Sequence, residues 1–259
     1  MSQTTKIAII GAGNMGGAIA RGLARHGYAV KVANRSAAKL DALKAEFPSI
    51  ETTASNAEAA AGTAIVIVAV RPAQTQAVLA EITPVLAAGA LVVTLAPSVE
   101  LADIKLPDGV FAARIMPNTA ISVASSMTFV TFGDNVPDDV RTVLITALDT
   151  IGSTAVIPEH LMGAATALCS CGLAYALRYI RASAEGGVAM GFPADDATRY
   201  VAATLRGAAD LLEATGRHPE QLIDSVTTPG GTTIRGLIAM EKGGFTAAVI
   251  DGLIASSHE

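Results

Sequence analysis

In the first half of the chain, short apolar runs alternate with stretches of helical spacing. Lys6–Ile10 is a β-branched run, and Met15–His26 reads as a helix closed by Gly27. Val30–Ala33 is a second strand, a helical stretch from Ala37 to Glu46 stops at Pro48, and Asn56–Ala61 is a short helix. Ala64–Val70 is apolar throughout, the pattern of a central parallel strand covered on both faces. Ala73–Leu86 is predicted as a helix, Leu91–Ala96 as another buried strand, and Val110–Ile115 and Met127–Phe132 as two more. Asp138–Ile151 reads as a helix with Pro137 near its start. This alternation predicts a mostly parallel sheet with helices on both faces.

After about Pro158 the strand signal vanishes. Met162–Ala189 is one long helical stretch, broken near Gly172 and ended by Gly191-Phe192-Pro193. The next helix runs from about Asp195 to Ala214, and its Val201, Leu205, Ala208 and Leu212 have the spacing of a buried stripe. Pro219–Val226, Ile234–Glu241 and Phe245–Ser256 are the remaining helices. The chain is therefore α/β first and all-α second, with residues 1–157 as one domain and 158–259 as the other.

The glycines between the first strand and the first helix add the first chemistry. Gly11-Ala12-Gly13-Asn14-Met15-Gly16 is G-x-G-x-x-G in the setting of a Rossmann-type doubly wound sheet. There Gly11 permits a tight turn, Gly13 lets backbone approach a pyrophosphate, and Gly16 lets helix and strand pack closely, while free helix N–H groups face the phosphates. The end of the second strand carries Asn34-Arg35-Ser36 where an NAD site carries an acid. Arg35 can fork onto a 2′-phosphate and Ser36 can add a hydrogen bond, so NADPH is favoured, with NADH as the alternative.

Composition narrows the partners. The 259 residues carry 18 Lys and Arg against 23 Asp and Glu, a net charge of −5, which gives no basic surface for nucleic acid. Mean hydropathy is +0.47, but the runs Ala64–Val70 and Leu91–Ala96 are strand-sized, so no membrane span is expected from them. Met1–Lys6 is too short and polar for an export signal, which points to the cytoplasm. Cys169 and Cys171 read as small packing residues, and two cysteines are too few for a zinc site, so no metal is expected. His26, His160, His218 and His258 lie at chain or helix ends or beside Pro-bearing turns, positions of surface histidines.

One loop in the helical half is unlike its neighbours. Val226–Ile234 holds two glycines and four threonines and leads into a helix, so its N–H groups can hold a carboxylate. As connecting loop alone, Thr233 would serve as a helix N-cap.

With Ala69-Val70-Arg71-Pro72, Met116-Pro117-Asn118-Thr119, Glu185–Gly191 and Thr228–Ile234, the chain resembles pyrroline-5-carboxylate reductases over nearly its whole length. The resemblance implies hydride transfer from NADPH to C5 of the cyclic imine 1-pyrroline-5-carboxylate, giving L-proline. It puts Asn14, Met15, Asn34, Arg35, Ser36, Asn56, Val70, Arg71 and Ala96 at cofactor-contacting positions, with Gly11, Gly13, Gly16 and Ala69 beside them. It puts Glu159, Ser225, Gly230, Gly231, Thr232 and Thr233 at or near the imino acid, with Thr233 as the hydroxyl facing the ring nitrogen. It also implies homodimers built by the helical domain, often five to a decamer. The chain departs from the family at Cys169-Ser170-Cys171-Gly172-Leu173-Ala174, where Ser-Gly-Ser-Gly-Pro-Ala is usual, and at Ala96-Pro97-Ser98, where Ala-Ala-Gly is usual. A β-hydroxy-acid dehydrogenase would need a lysine to move a hydroxyl proton, and the helical half has only Lys242. A non-catalytic NADP-binding protein is the other alternative.

Overall fold

The computed structural model describes residues 5–257. The opening residues 1–4 and His258 lie outside them. Two compact units divide at Ser170 and Cys171.

The first unit is built on one eight-stranded sheet: β1 (Lys6–Ile10), β2 (Ala29–Ala33), β3 (Glu51–Thr53), β4 (Ile65–Val68), β5 (Leu91–Thr94), β6 (Phe111–Met116), β7 (Ser126–Phe132) and β8 (Gly152–Val156), in the order β3-β2-β1-β4-β5-β6-β7-β8. Strands β1 to β6 are parallel to one another, whereas β7 is antiparallel to β6 and β8 parallel to β7. The reversal has a local cause: β6 and β7 are joined by a short connection with no crossover helix, only a 3₁₀ turn over Thr119–Val123, and a parallel return needs a longer crossover.

Period-two alternation splits the apolar runs between two cores. Ile7, Ile9, Ile65, Ile67, Leu91, Val93, Ala113 and Ile115 face one side, where α1 (Asn14–Arg25) supplies Ile19, Ala20 and Leu23. Helix α2 (Ala37–Glu46) adds Leu40 and Leu43 to that core. Ala8, Ile10, Val66, Val68 and Val92 face the other, under α3 (Asn56–Ala60) and α4 (Pro72–Ile82). Each such Ile or Leu contributes roughly 1.5–3 kcal/mol when fully buried. Helix α4 ends at Ile82, short of the predicted Leu86, because Pro84 cannot donate to a helix and sits in a 3₁₀ turn instead. Helix α5 (Asp138–Asp149) completes the first core with Leu144 and Leu148. Strands β3 and β8 have no counterpart in the expected elements: Glu51-Thr52-Thr53 and Gly152-Ser153-Thr154 are polar and lie at the two sheet edges.

The end of the strands near Ile157 does not end this unit. Helix α6 (Met162–Ala165) and a π-helical segment Thr166–Cys171 follow, and side chains tie them back: Asn118 Nδ2 donates to Cys169 O and Ser170 Oγ to Pro117 O. The break expected near Gly172 is this π segment. The helical stretch Glu159–Ala189 is long and apolar enough to cross a membrane by length and composition, which the strand-sized runs alone did not suggest.

The second unit holds α7 (Gly172–Ala189), α8 (Ala194–Thr215), α9 (Pro219–Ser225), α10 (Thr232–Lys242) and α11 (Phe245–Ser257). Gly191 turns at φ +102°, and α7 meets α8 so closely that a Cβ on Gly187 would lie 2.9 Å from Ala197 Cβ. The spacing predicted a buried stripe on α8, but within this chain the stripe is not buried. Val201 and Leu205 are half-buried, while Ala208 and Leu212 are exposed. One chain has too few helices to cover both sides of α8.

Candidate active site

The glycine loop joins β1 to α1 as a cradle. Gly11 sits at φ +107° and donates its N–H to Ala33 O (2.8 Å); any Cβ there would lie 2.6 Å from Ala69 O. A Cβ on Gly16 would come within 2.0 Å of Gly11 O. Gly13 differs, for a Cβ there would meet nothing within 4 Å. No side chain caps α1, so its first N–H groups look into that open space. This is the geometry a pyrophosphate requires, and a side chain at Gly13 would fill it.

The end of β2 supplies the next part. Asn34 is a brace: its Oδ1 accepts from Ala12 N–H (3.1 Å) and its Nδ2 donates to Ser36 O (3.2 Å). Arg35 lines a cleft of about 590 Å³ together with Gly11, Gly13, Asn56, Ala69, Val70 and Arg71. Lys39 and Glu81 line it as well, and neither was expected. Lys39 stands four residues past Arg35 on the first turn of α2, and that spacing was the available signal. Glu81 comes from α4 and accepts from Asn56 Nδ2 at 2.7 Å, a pairing that depends on tertiary structure. Arg35, Lys39 and Arg71 form no ion pair among the described residues, so the cleft presents three cations against one carboxylate. Asn14, Met15, Gly16, Ser36 and Ala96 do not line it. Ala96 is buried with its N–H held by Thr94 Oγ1, and Met15 packs on the core.

Glu159, expected near the imino acid, is held in the sheet unit. Its Oε1 accepts from Arg114 Nη1 (2.6 Å) and from Leu101 N–H (2.8 Å). Cys169 and Cys171 are free thiols, and burial pushes the Cys169 thiol up, which keeps it protonated and unreactive at neutral pH.

In the helical unit, Gly230 turns at φ +69° and Gly231 donates its N–H to Thr228 O (2.9 Å). Gly231 is the N-cap of α10, and no side chain caps the helix. The N-cap role considered for Thr233 is therefore excluded: Thr232 and Thr233 are the first two helical residues, two positions further on, and both are exposed. Their N–H groups and hydroxyls gather at one helix start, suited to a carboxylate and a ring nitrogen. Ser225 ends α9 and spends its hydroxyl locally, donating to Leu222 O at 2.6 Å.

A doubly wound sheet with an open glycine cradle and a cationic cleft, followed by an all-helical unit, defines a dinucleotide-dependent oxidoreductase of two parts. Residues 6–98 match the family described as "NADP oxidoreductase coenzyme F420-dependent", and residues 159–259 match "Pyrroline-5-carboxylate reductase dimerisation". The chain belongs to the pyrroline-5-carboxylate reductase family. It is 35% identical, over 100% of its length and 93% of the relative's, to pyrroline-5-carboxylate reductase 2 of Dictyostelium discoideum. It is 37% identical to reductase 1 of the same organism over 98% of its own length, and spans about half (49%) of that longer protein. A pyrroline-5-carboxylate reductase structure from Coxiella burnetii superposes with a TM-score of 0.91 at 30% identity, covering 98% of this chain and 96% of that one.

Proposed function

We propose that the chain reduces 1-pyrroline-5-carboxylate to L-proline with NADPH. The observation that carries this reading is the pairing, in one chain, of the open glycine cradle with an uncapped, hydroxyl-bearing helix start. The cradle N–H groups at Gly13 and α1 would hold the pyrophosphate, and Arg35 with Lys39 the 2′-phosphate. Bound NADPH supplies the hydride. The rest is positioning and electrostatics. The N–H groups of Thr232 and Thr233, after the Gly230-Gly231 turn, would fix the substrate carboxylate. The Thr233 hydroxyl would hydrogen-bond the ring nitrogen and steady it as C5 accepts hydride and the imine becomes an amine. NADPH consumption with 1-pyrroline-5-carboxylate, and proline as the product, is the expected result; turnover of a β-hydroxy acid instead, or of neither, would overturn the reading.

The match to a dimerisation family supports homo-oligomerisation. The exposed apolar residues of the helical unit, among them Leu177, Ile238, Val249 and Ile254, support the specific reading of a dimer, and the decamer is its extension. A dimer interface on the helical half would cover part of the apolar stretch Glu159–Ala189, which supports the reading of a cytoplasmic enzyme. Light scattering at assay concentrations should give a mass of at least two chains; a monodisperse monomer overturns this assembly.

A further inference from the structure

Arg114 is a costly residue where it stands. Alternation puts it on the same side of β6 as Ala112, over the second apolar core, and its side chain is only 7% exposed. A guanidinium out of water pays a large desolvation penalty, so its ion pair is weak evidence of a stabilising role. What the guanidinium does is specific. Nη2 donates to Pro97 O at 2.6 Å, and Nη1 donates to Glu159 Oε1 at 2.6 Å. The same Glu159 oxygen takes the N–H of Leu101 at 2.8 Å. One ion pair therefore grips the segment from Pro97 to Leu101 at both ends. That segment continues the turn that leaves β5 through Ala96, whose N–H is itself held by Thr94 Oγ1 at 3.1 Å. The turn follows a strand that pairs directly with β4, the strand leading into Ala69 and Val70 of the cofactor cleft.

We propose that Arg114 and Glu159 are positioning residues for the cofactor: acting as one unit, they hold the Ala96-Pro97-Ser98 turn in the shape that receives NADPH, and Glu159 does not touch the imino acid. The inference rests on the reading of the chain as an NADPH-dependent reductase. It also gives a reason for Pro97, where the family more often has Ala. A proline's fixed φ pre-sets the direction of the backbone whose carbonyl Arg114 holds.

The test measures NADPH affinity directly, by titrating the cofactor's fluorescence with the full-length protein, and thermal melts run beside it. Glu159→Ala removes the acceptor for both Leu101 and Arg114 and should raise the NADPH Kd about tenfold. Glu159→Gln keeps a carbonyl oxygen for both donors and should stay within about threefold of wild type, since only the charge assistance is lost. Because the two residues act as one unit on the same segment, the pair Arg114→Met with Glu159→Ala should weaken NADPH binding by less than the two single losses combined. At saturating NADPH, the KM for the imino acid should be unchanged in Glu159→Gln. The clamp is overturned if Glu159→Ala binds NADPH like wild type. It is equally overturned if Glu159→Gln raises the imino-acid KM as far as Glu159→Ala with NADPH affinity intact, which would make Glu159 a substrate ligand. A loss of melting temperature common to Glu159→Ala and Glu159→Gln, with equal NADPH affinities, would reduce the pair to a folding role. A wild-type chain that fails to bind NADPH at all sinks the cofactor reading itself, a result none of the variants can imitate.

Discussion

Thr233→Val is expected to lower kcat and kcat/KM together, by about 10- to 200-fold, and to leave the melting temperature where it was. The size follows from a hydrogen bond to a group that carries charge in the transition state, roughly 1.5–3 kcal/mol. The flat melting temperature follows from the structure. Gly231 caps α10, and the exposed Thr233 side chain caps nothing, so its loss removes no structural contact. Val matches Thr in shape and branching and lacks only the hydroxyl. Thr233→Ser, which keeps the hydroxyl, should retain most of the rate. A contact made equally with bound substrate and transition state would instead raise KM at constant kcat. Wild-type turnover by Thr233→Val would leave the nitrogen to water or to Thr232 and remove Thr233 from the chemistry.

Cofactor choice is the second large effect. Arg35→Ala should cut kcat/KM for NADPH by about 10- to 100-fold, the worth of a charge-assisted contact with phosphate, and change NADH use little. Lys39→Ala should act in the same direction by a smaller factor, because a lysine offers a point charge and no planar fork. Together the two substitutions should bring NADPH and NADH close to parity. Steady-state kinetics with both cofactors reads this out. Equal losses with NADPH and NADH would show that neither cation meets the 2′-phosphate.

The sheet unit was legible where local chemistry is also global chemistry. Ile65–Val68 and residues 91–93 are apolar at every position, as suits strands covered on both faces, and their strand length and β-branched residues point to central strands. Gly11 and Gly16 were legible for the same kind of reason: neither position has room for a Cβ. What the sequence hid were relations between distant residues. Arg114 and Glu159 are 45 positions apart, and nothing near either names the other. Asn34 lines the cofactor cleft and also braces the loop, a second role visible only once Ala12 stands 3.1 Å from it. The edge strands Glu51–Thr53 and Gly152–Val156 escaped because an edge position lets polar residues into a strand. The start of α10 was misplaced by two residues, and its true start removes the N-cap alternative for Thr233 and leaves it a helical residue with a spare hydroxyl.

The partly uncovered stripe on α8 bears on how this protein exists in a cell. A fold whose apolar surface is complete can be stable in a single molecule. Here Ala208 and Leu212 are exposed in one copy, so in the dimer proposed above part of the free energy of the helical half would reside in the encounter between copies. Stability then follows mass action: it is a property of the solution as well as of the chain, and dilution acts on it as a denaturant would. In that dimer a newly made chain would reach its final stability only on meeting another, which would tie the amount of working enzyme to the rate of synthesis more steeply than in simple proportion.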